Sequence, residues 1–283
     1  MNNFGDLPEE FSCFENAYIN IIPIPYEATT TYKGGTREGP EAIIRASQHL
    51  ELYDEQLNKE PYRIGIFTHP QVKIISSGPE KMVEKIYKFT KSFLSQEKFF
   101  FALGGEHTIT IGIVKAFVEK YSSLSVFQLD AHADLRNSYE GSPYSHACTM
   151  RRIREFCPFL GFGIRSLSKE ENDYIKENSL KILRAEDIMK EDKWKDFILE
   201  YLSEEVYLTI DLDVFDPSIM PAVGTPEPGG LGWYKVLEIL RYLTEHKRVV
   251  GVDIVELSPL PGNISPDFLA AKLVYKLIGY ISS

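Results

Sequence analysis

The sequence predicts an α/β protein built on a mostly parallel sheet with helices on both faces. Apolar, β-branched segments recur along the 283 residues, and most are continuous rather than alternating, as in strands covered on both faces. Segments with helical periodicity lie between them, and this alternation is typical of an α/β fold. No Gly/Ser/Pro-rich linker divides the chain, so residues 1–283 are expected to form one domain.

Each element is predicted from its own pattern of apolar residues. The main predicted strands are 17–24, 72–76, 98–103, 123–130, 205–211 and 248–254, and shorter candidates lie at 63–67, 158–164 and 180–184. The clearest helix is 79–96, where Met82, Ile86 and Phe89 recur at spacings of three and four residues. The other predicted helices are 108–121, 168–177, 190–202, 233–246 and 266–281.

Composition and charge exclude several classes of protein. The chain carries 31 Lys and Arg against 41 Asp and Glu, a formal net charge of −10, which disfavours binding to nucleic acid. No apolar stretch is long enough to span a membrane, and the polar, acidic N-terminus does not resemble a signal peptide. Three cysteines without a C-x-x-C pair argue against a disulfide scaffold and a structural zinc site, so a cytoplasmic protein is expected.

Ionisable residues follow four of the predicted strands at the point where each strand ends. His107 follows 98–103, Asp130 ends 123–130, Asp211 ends 205–211, and Glu256 follows 248–254. The carboxyl ends of parallel strands meet at one edge of a sheet, which is where open α/β sheets bind their ligands. These side chains are therefore expected to share one site.

The residue types at this edge indicate a metal site. Asp130, His132 and Asp134 alternate, so one extended segment can present all three side chains to the same cavity. Asp211 and Asp213 repeat this arrangement, and His107 adds a sixth ligand. Carboxylates and imidazoles without a thiolate suit Mn²⁺ or Mg²⁺, with Fe²⁺, Co²⁺, Ni²⁺ or Zn²⁺ as alternatives. Four converging aspartates would repel one another, which predicts two divalent ions about 3.5 Å apart.

The strings that contain these residues resemble the ureohydrolases, the arginase and agmatinase family of dinuclear manganese enzymes. The matching strings are GGEH at 104–107, DAHAD at 130–134, SH at 145–146, DLDVFDPSIMPAVGTPEPGG at 211–230, DIVELSP at 253–259 and TTTYKGGTREGPEAIIRAS at 29–47. The resemblance implies a three-layer α/β/α fold around a mostly parallel eight-stranded sheet, assembled as a homo-trimer or homo-hexamer.

The resemblance also implies a role for each site residue. One Mn²⁺ would be held by His107, Asp130, Asp134 and Asp211, and the other by Asp130, His132, Asp211 and Asp213. A metal-bridging hydroxide would attack the guanidinium carbon, with Asp134 accepting a hydrogen bond from it. Glu256 would bind the guanidinium group, and His146 would protonate the leaving amine, so that the products are urea and an amine.

Two positions bear on which guanidine is the substrate. Arg136 stands where arginases carry the Asn that binds the α-carboxylate, and Ser166 replaces the Asp that binds the α-amino group. Both changes disfavour arginine, and agmatine, which would give putrescine, is the favoured substrate. Arg136 either pairs with Glu140 or lines the pocket, where it would attract the carboxylate of guanidinobutyrate. N1-aminopropylagmatine remains an alternative, and formiminoglutamate a less favoured one.

Two other classes of function compete with this interpretation. One is a metal-dependent deacetylase on a related fold, which holds a single zinc; His107 and the second aspartate of each pair favour two metals instead. The other is a catalytically silent family member that serves in binding or assembly, but this chain retains all six ligands. A Cys–His site at Cys148 and His146 is disfavoured because no third group orients the pair.

Overall fold

The computed structural model describes residues 3–282, and its centre is an eight-stranded sheet with the strand order β2-β1-β3-β8-β7-β4-β5-β6. All seven strand pairings of that sheet are parallel. The strands are β1 Ile19–Ile24, β2 Ile66–Thr68, β3 Phe99–Gly104, β4 Leu124–Leu129, β5 Phe159–Ile164, β6 Lys181–Arg184, β7 Glu205–Asp211 and β8 Arg248–Val255. The predicted mostly parallel, eight-stranded sheet is confirmed.

Helices cover both faces of this sheet, so the side chains of each central strand enter two separate cores. In β3, Phe99, Phe101 and Leu103 belong to one core, and Phe100 and Ala102 belong to the other. This explains why the strands read as continuous apolar runs, and it confirms the three-layer architecture. The helices are α1 Glu9–Ser12, α2 Gly39–Ser47, α3 Pro79–Phe93, α4 Ile109–Lys120, α5 Thr149–Ile153, α6 Lys169–Glu177, α7 Ala185–Lys190, α8 Trp194–Tyr201, α9 Trp233–His246 and α10 Ser265–Ile281.

One main predicted strand, 72–76, is wrong. The segment has no strand pairing, and the edge position beside β1 is taken by β2, whose three residues pair with Ile19, Asn20 and Ile21. The 72–76 segment continues past that edge, where the Val72 backbone N–H donates to the Pro23 carbonyl at 2.9 Å. The segment is apolar because it covers the core, where Val72 is buried, and not because it belongs to the sheet.

Two further element boundaries differ from the prediction. The predicted helix 190–202 is interrupted, because Glu191 is extended (φ −143°, ψ 148°) and separates α7 from α8. The predicted strand 63–67 begins instead as a 3-10 turn over Pro61–Ile64, and only Ile66–Thr68 pairs with β1. Both differences fall at short polar connections. The sequence of such a connection does not show whether its residues continue the preceding element or begin the next one.

The strand order brings the functional ends together. Strands β3, β8, β7 and β4 are consecutive neighbours in the middle of the sheet, and their carboxyl ends carry His107, Glu256, Asp211 and Asp130. The connection from β3 through α4 to β4 therefore passes over β8 and β7, leaving a crevice where the chain changes direction. Crevices of this kind are where open α/β sheets bind ligands.

Candidate metal centre and substrate cavity

Three carboxylates surround the imidazole of His107. Its Nδ1 lies 3.1 Å from Asp134 Oδ2, 3.2 Å from Asp130 Oδ2 and 3.7 Å from Asp211 Oδ2. His107 and Asp130 are at most 1% exposed. Burial disfavours the imidazolium form, but the carboxylates of Asp130 and Asp134 outweigh it and raise the pKa of His107 well above its usual value. The cluster therefore attracts positive charge.

A second cluster lies on the other side of Asp130. His132 Nδ1 is 2.7 Å from Asp213 Oδ2 and 3.8 Å from Asp130 Oδ1. Asp130 thus faces His107 with one oxygen and His132 with the other. It belongs to two groups in each of which the candidate ligand atoms lie within 4.8 Å of one another, namely His107, Asp130 and Asp211, and Asp130, His132 and Asp213. This is the position that a bridging ligand between two ions would occupy.

Two observations test whether these residues suit metal ions. First, His107 Nδ1 is buried and has no hydrogen-bond partner among residues 3–282, even though three carboxylate oxygens surround it. Second, burial and then the charges of Asp213 and Asp134 raise the pKa of Asp130 to about 7, because carboxylates packed this closely repel one another. An unpaired imidazole nitrogen and mutually repelling carboxylates fit divalent cations, which supply the missing positive charge.

The tautomer of His107 is set by a buried network behind it. His107 Nε2 lies 2.9 Å from Thr209 Oγ1, and the Thr209 hydroxyl donates to Asp253 Oδ1 at 2.6 Å. Because Thr209 uses its only proton on Asp253, its oxygen accepts the proton of Nε2. In the neutral ring, which is the form that binds a metal, the lone pair is then on Nδ1 and points at the carboxylates. Asp253 also accepts hydrogen bonds from the hydroxyls of Tyr207 and Thr110.

Glu256 closes the cluster from the end of β8. Its Oε1 accepts a hydrogen bond from the backbone N–H of His107 at 2.7 Å, and its own N–H donates to the Gly105 carbonyl at 2.8 Å. Glu256 has φ 69°, a left-handed conformation that turns its side chain back over the sheet edge. Burial raises the pKa of Glu256 well above its usual range, so a bound cation is needed to favour the carboxylate form.

His146 is positioned by a segment that follows β1. The Thr29 hydroxyl donates to Glu106 Oε1 at 2.9 Å, so the Thr29 oxygen accepts from the backbone N–H of His146 at 3.0 Å and from its Nδ1 at 3.1 Å. Glu106 is fully buried, and its other oxygen accepts the backbone N–H groups of Ala28 and Thr29, both at 2.7 Å. These contacts leave Nε2 of His146 as the ring nitrogen not engaged by Thr29.

One cavity of about 260 Å³ joins these groups. Nine of the ten residues predicted for the site line it, namely His107, His132, Asp134, Arg136, His146, Ser166, Asp211, Asp213 and Glu256. Asp130, the tenth, lies fully buried within the carboxylate cluster. The cavity is also lined by residues that were not predicted for the site, among them Glu171, which lies outside the quoted strings, and Glu227, which lies within the string 211–230.

The surroundings of Arg136 differ from one of the two predicted alternatives. Arg136 lines the cavity, and its Nε approaches Glu171 Oε2 at 3.9 Å, whereas the predicted partner was Glu140. Its guanidinium also lies over the Tyr139 ring at 4.8 Å. Glu171 is buried because it caps α6, and from that position it is closer to the guanidinium than the exposed Glu140.

The cysteines take no part in the cavity chemistry. Cys13, Cys148 and Cys157 are all free thiols. Burial, followed by the charge of Asp134, raises the pKa of Cys148 to about 11, so this thiol stays protonated at neutral pH. A protonated thiol is a poor nucleophile, and the absence of a catalytic Cys148–His146 pair stays a prediction.

Comparison with known proteins identifies the family. The model of the arginase family matches residues 17–279. N1-aminopropylagmatine ureohydrolase of Synechocystis sp. is 41% identical, with 99% of this chain and 96% of that protein covered, and agmatinase of Pyrococcus horikoshii is 38% identical, with 92% and 90% covered. The crystal structure of agmatine ureohydrolase of Thermoplasma volcanium superposes with a TM-score of 0.89 at 30% identity, covering 100% of this chain and 94% of that one.

Within residues 3–282, none of the helices combines the length and the apolar character that crossing a bilayer requires.

The family match spans nearly the whole chain, and the structural match spans all of it. The chain therefore belongs to the arginase family and is a metal-dependent hydrolase of the ureohydrolase type.

Proposed function

We propose that the chain hydrolyses the guanidino group of N1-aminopropylagmatine, releasing urea and spermidine. The observation that carries this proposal is the similarity to the Synechocystis enzyme of that name, at 41% identity over 99% of the chain. Sequence motifs alone favour agmatine, and the 38% identical agmatinase of Pyrococcus keeps agmatine as the second candidate. Both substrates carry a guanidinium at one end and at least one ammonium further along, so they require the same chemistry.

The six predicted ligands are proposed to hold two Mn²⁺ ions. His107, Asp130, Asp134 and Asp211 would form one ligand set, and Asp130, His132, Asp211 and Asp213 the other, with Asp130 and Asp211 in both. The distances around His107 Nδ1 and His132 Nδ1 support this division. When bound, ions of this kind supply a water whose lowered pKa makes it a nucleophile at neutral pH.

Glu256 is proposed to orient the guanidinium. Its Oε1 is already fixed by the backbone N–H of His107, so the carboxylate has one orientation relative to the carboxylate cluster. A carboxylate pairs with a planar guanidinium through two parallel, charge-assisted hydrogen bonds. Because the site is buried, the charge of the arriving guanidinium also stabilises the carboxylate form of Glu256. The two opposite charges are then buried together as a pair.

His146 is proposed to transfer the proton that the leaving amine requires. Thr29 accepts the proton of Nδ1, which makes Nε2 the nitrogen at which a proton is taken up and released. Asp134 accepts a hydrogen bond from the nucleophilic water in this scheme. Arg136 and Ser166 are proposed to contact the far end of the substrate, because both line the same cavity as Glu256.

Urea release with Mn²⁺ present, measured from four guanidines, tests this function. The panel is N1-aminopropylagmatine, agmatine, arginine and 4-guanidinobutyrate, and kcat/KM is compared across it. We expect N1-aminopropylagmatine to give the highest value. A clear preference for agmatine would select the second candidate, and a preference for arginine would contradict both.

Three further features of the protein are proposed from the sequence and the family. They are a single domain over residues 1–283, assembly as a homo-trimer or homo-hexamer, and a cytoplasmic location. Light scattering coupled to size-exclusion chromatography measures the subunit number directly. A monomer of 32.3 kDa would contradict the proposed assembly.

A further inference from the structure

We propose that the carboxylate of Glu227 binds the ammonium group of the substrate chain, and so makes the enzyme select guanidines with a cationic tail. This inference rests on the proposed ureohydrolase function. Glu227 lies in the loop between β7 and α9 and lines the same cavity as Glu256. Its side chain is 36% exposed, so its carboxylate is open to a ligand that enters from solvent.

The Glu227 carboxylate is held on one side only. Its Oε1 accepts the Ser166 hydroxyl at 2.8 Å and lies 3.8 Å from His132 Nε2. Among the described residues, no hydrogen bond or ion pair engages the second oxygen, Oε2. The carboxylate therefore has a fixed position near the metal cluster and a free oxygen with which to accept a hydrogen bond from an ammonium.

The other acids that line the cavity already have partners. Asp134, Asp211 and Asp213 belong to the carboxylate cluster around the two imidazoles. Glu171 accepts the backbone N–H groups of Leu135 and Ser168 and is 4% exposed. Since Glu256 is assigned to the guanidinium, Glu227 is the lining carboxylate left for a second cation.

The loop that carries Glu227 is fixed before any ligand binds. The guanidinium of Arg165 donates to the backbone carbonyls of Glu227 and Asp213, both at 2.7 Å, and so ties the loop to the metal-binding segment. The Asp216 carboxylate accepts the backbone N–H groups of Gly229 and Gly230, at 3.0 and 3.1 Å. A group held this way loses little freedom on binding, which favours both affinity and selectivity.

The two basic side chains at the cavity wall, Lys33 and Arg136, do not cancel this charge, and Lys33 Nζ donates to the Ser258 carbonyl at 3.0 Å. Arg136 also lines the cavity, but its guanidinium lies over Tyr139 and approaches Glu171. Arg136 therefore has partners of its own, whereas Glu227 Oε2 has none in the described chain. A guanidine with an ammonium tail is expected to bind beside Glu227, and a guanidine with a carboxylate tail is expected to be repelled by it.

The test compares substrates that differ only in the charge of the tail. The variant is Glu227→Gln, which keeps an oxygen for Ser166 and removes the charge. We expect the ratio of kcat/KM for agmatine to that for butylguanidine, whose tail carries no charge, to fall by about ten- to hundred-fold, the size of one charge-assisted hydrogen bond. We also expect kcat/KM for 4-guanidinobutyrate to rise, because the repulsion is removed. A purely structural role would lower all three values together, and that result would overturn the proposal.

Glu186→Gln is the matched control. Glu186 lies on α7, is exposed and does not line the cavity, so this variant makes the same change in charge outside the site. It should leave the agmatine to butylguanidine ratio unchanged. An equal fall in that ratio in both variants would mean that general electrostatic attraction, and not Glu227, selects the cationic tail.

A binding measurement separates this proposal from the proposed function. Spermidine, the expected product amine, is titrated calorimetrically into the Mn²⁺-loaded wild type and into Glu227→Gln. We expect the variant to bind spermidine about ten-fold more weakly. If the wild type hydrolysed none of the guanidines, the ureohydrolase function would be wrong, while the titration would still test the amine site. Equal spermidine binding by the two proteins would overturn the role of Glu227.

Discussion

Replacing Thr209 by Val should weaken metal binding even though Thr209 is not a ligand. In the wild type, Thr209 accepts the proton on His107 Nε2, so Nδ1 carries the lone pair when the neutral ring binds a metal. Valine has a similar shape but no acceptor, and both residues are at most 1% exposed, so water cannot replace the hydroxyl. The proton would then move to Nδ1, where Asp134 lies 3.1 Å away, and metal binding would have to displace it.

The expected loss of Mn²⁺ affinity in Thr209→Val follows from the buried hydrogen bond that the variant lacks. Leaving a buried N–H without a partner costs about 1–3 kcal/mol. Without a metal, the variant avoids this cost by carrying the proton on Nδ1. When a metal binds Nδ1, the proton must return to Nε2, where it has no acceptor. The same energy therefore appears as weaker binding, by about 10- to 100-fold in the Mn²⁺ dissociation constant. Competition titration against a chelator measures that constant without reference to catalytic activity.

Thr110→Val provides the matched control. The Thr110 hydroxyl donates to Asp253 Oδ2, as Thr209 donates to Oδ1 of the same carboxylate, but the Thr110 side chain makes no hydrogen bond to the His107 ring. The backbone N–H of Thr110 donates to the His107 carbonyl at 3.1 Å, and valine keeps that bond. Thr110→Val should lower the free energy of unfolding by about 0.5–1.5 kcal/mol and change Mn²⁺ affinity by less than about three-fold. Equal losses of affinity in the two variants would refute the tautomer argument, because they would show that only the charge network around Asp253 matters.

Three other outcomes follow from the site. Asp130→Ala should lose bound Mn²⁺ and activity while retaining helical circular dichroism; urea release by a metal-free variant would contradict the mechanism. Glu256→Gln should retain both ions by elemental analysis but lose about 2–5 kcal/mol of transition-state stabilisation, measured as kcat/KM. Because its pKa is raised to about 11, Cys148 should resist alkylation at pH 8 and react only as the pH approaches 11, as peptide mass spectrometry would detect; rapid labelling at pH 8 would contradict its burial.

Sequence reasoning located the parts of the site that have a local signature. Asp130, His132 and Asp134 alternate on one extended segment directly after a buried strand, so their spacing and their place at the sheet edge are both readable. Asp211 and Asp213 were also located by their place at the end of β7, but the expected extended alternation is wrong for this pair, because Asp213 lies in a 3-10 turn over Leu212–Val214 and its N–H donates to Asp211 Oδ1 at 2.9 Å. What joins the two segments is the sheet order, in which β7 and β4 are neighbours, and the alternation of strands and helices does not reveal that order.

The residues that were missed lack such a signature because their roles depend on long-range contacts. Thr209 is a polar residue inside an apolar strand, and that interruption is the one sequence signal that could have marked it. Thr29 reaches His146 across 117 residues, and Glu227 reaches Ser166 across 61. The wrong strand at 72–76 has the same cause, since an apolar run shows that a segment is buried but not which hydrogen bonds it makes.

The turn after β3 connects the proposed guanidinium-binding residue to a proposed metal ligand. Gly105 packs so tightly against the end of β1 that a Cβ at this position would lie 2.1 Å from the Tyr26 carbonyl oxygen. The Gly105 carbonyl accepts the N–H of Glu256, and two residues later the N–H of His107 donates to the Glu256 carboxylate. One short turn thus holds the proposed metal ligand His107 and the proposed guanidinium-binding Glu256 through backbone groups. Because backbone close to a packed sheet moves little, the fold itself limits how far these two residues can move apart.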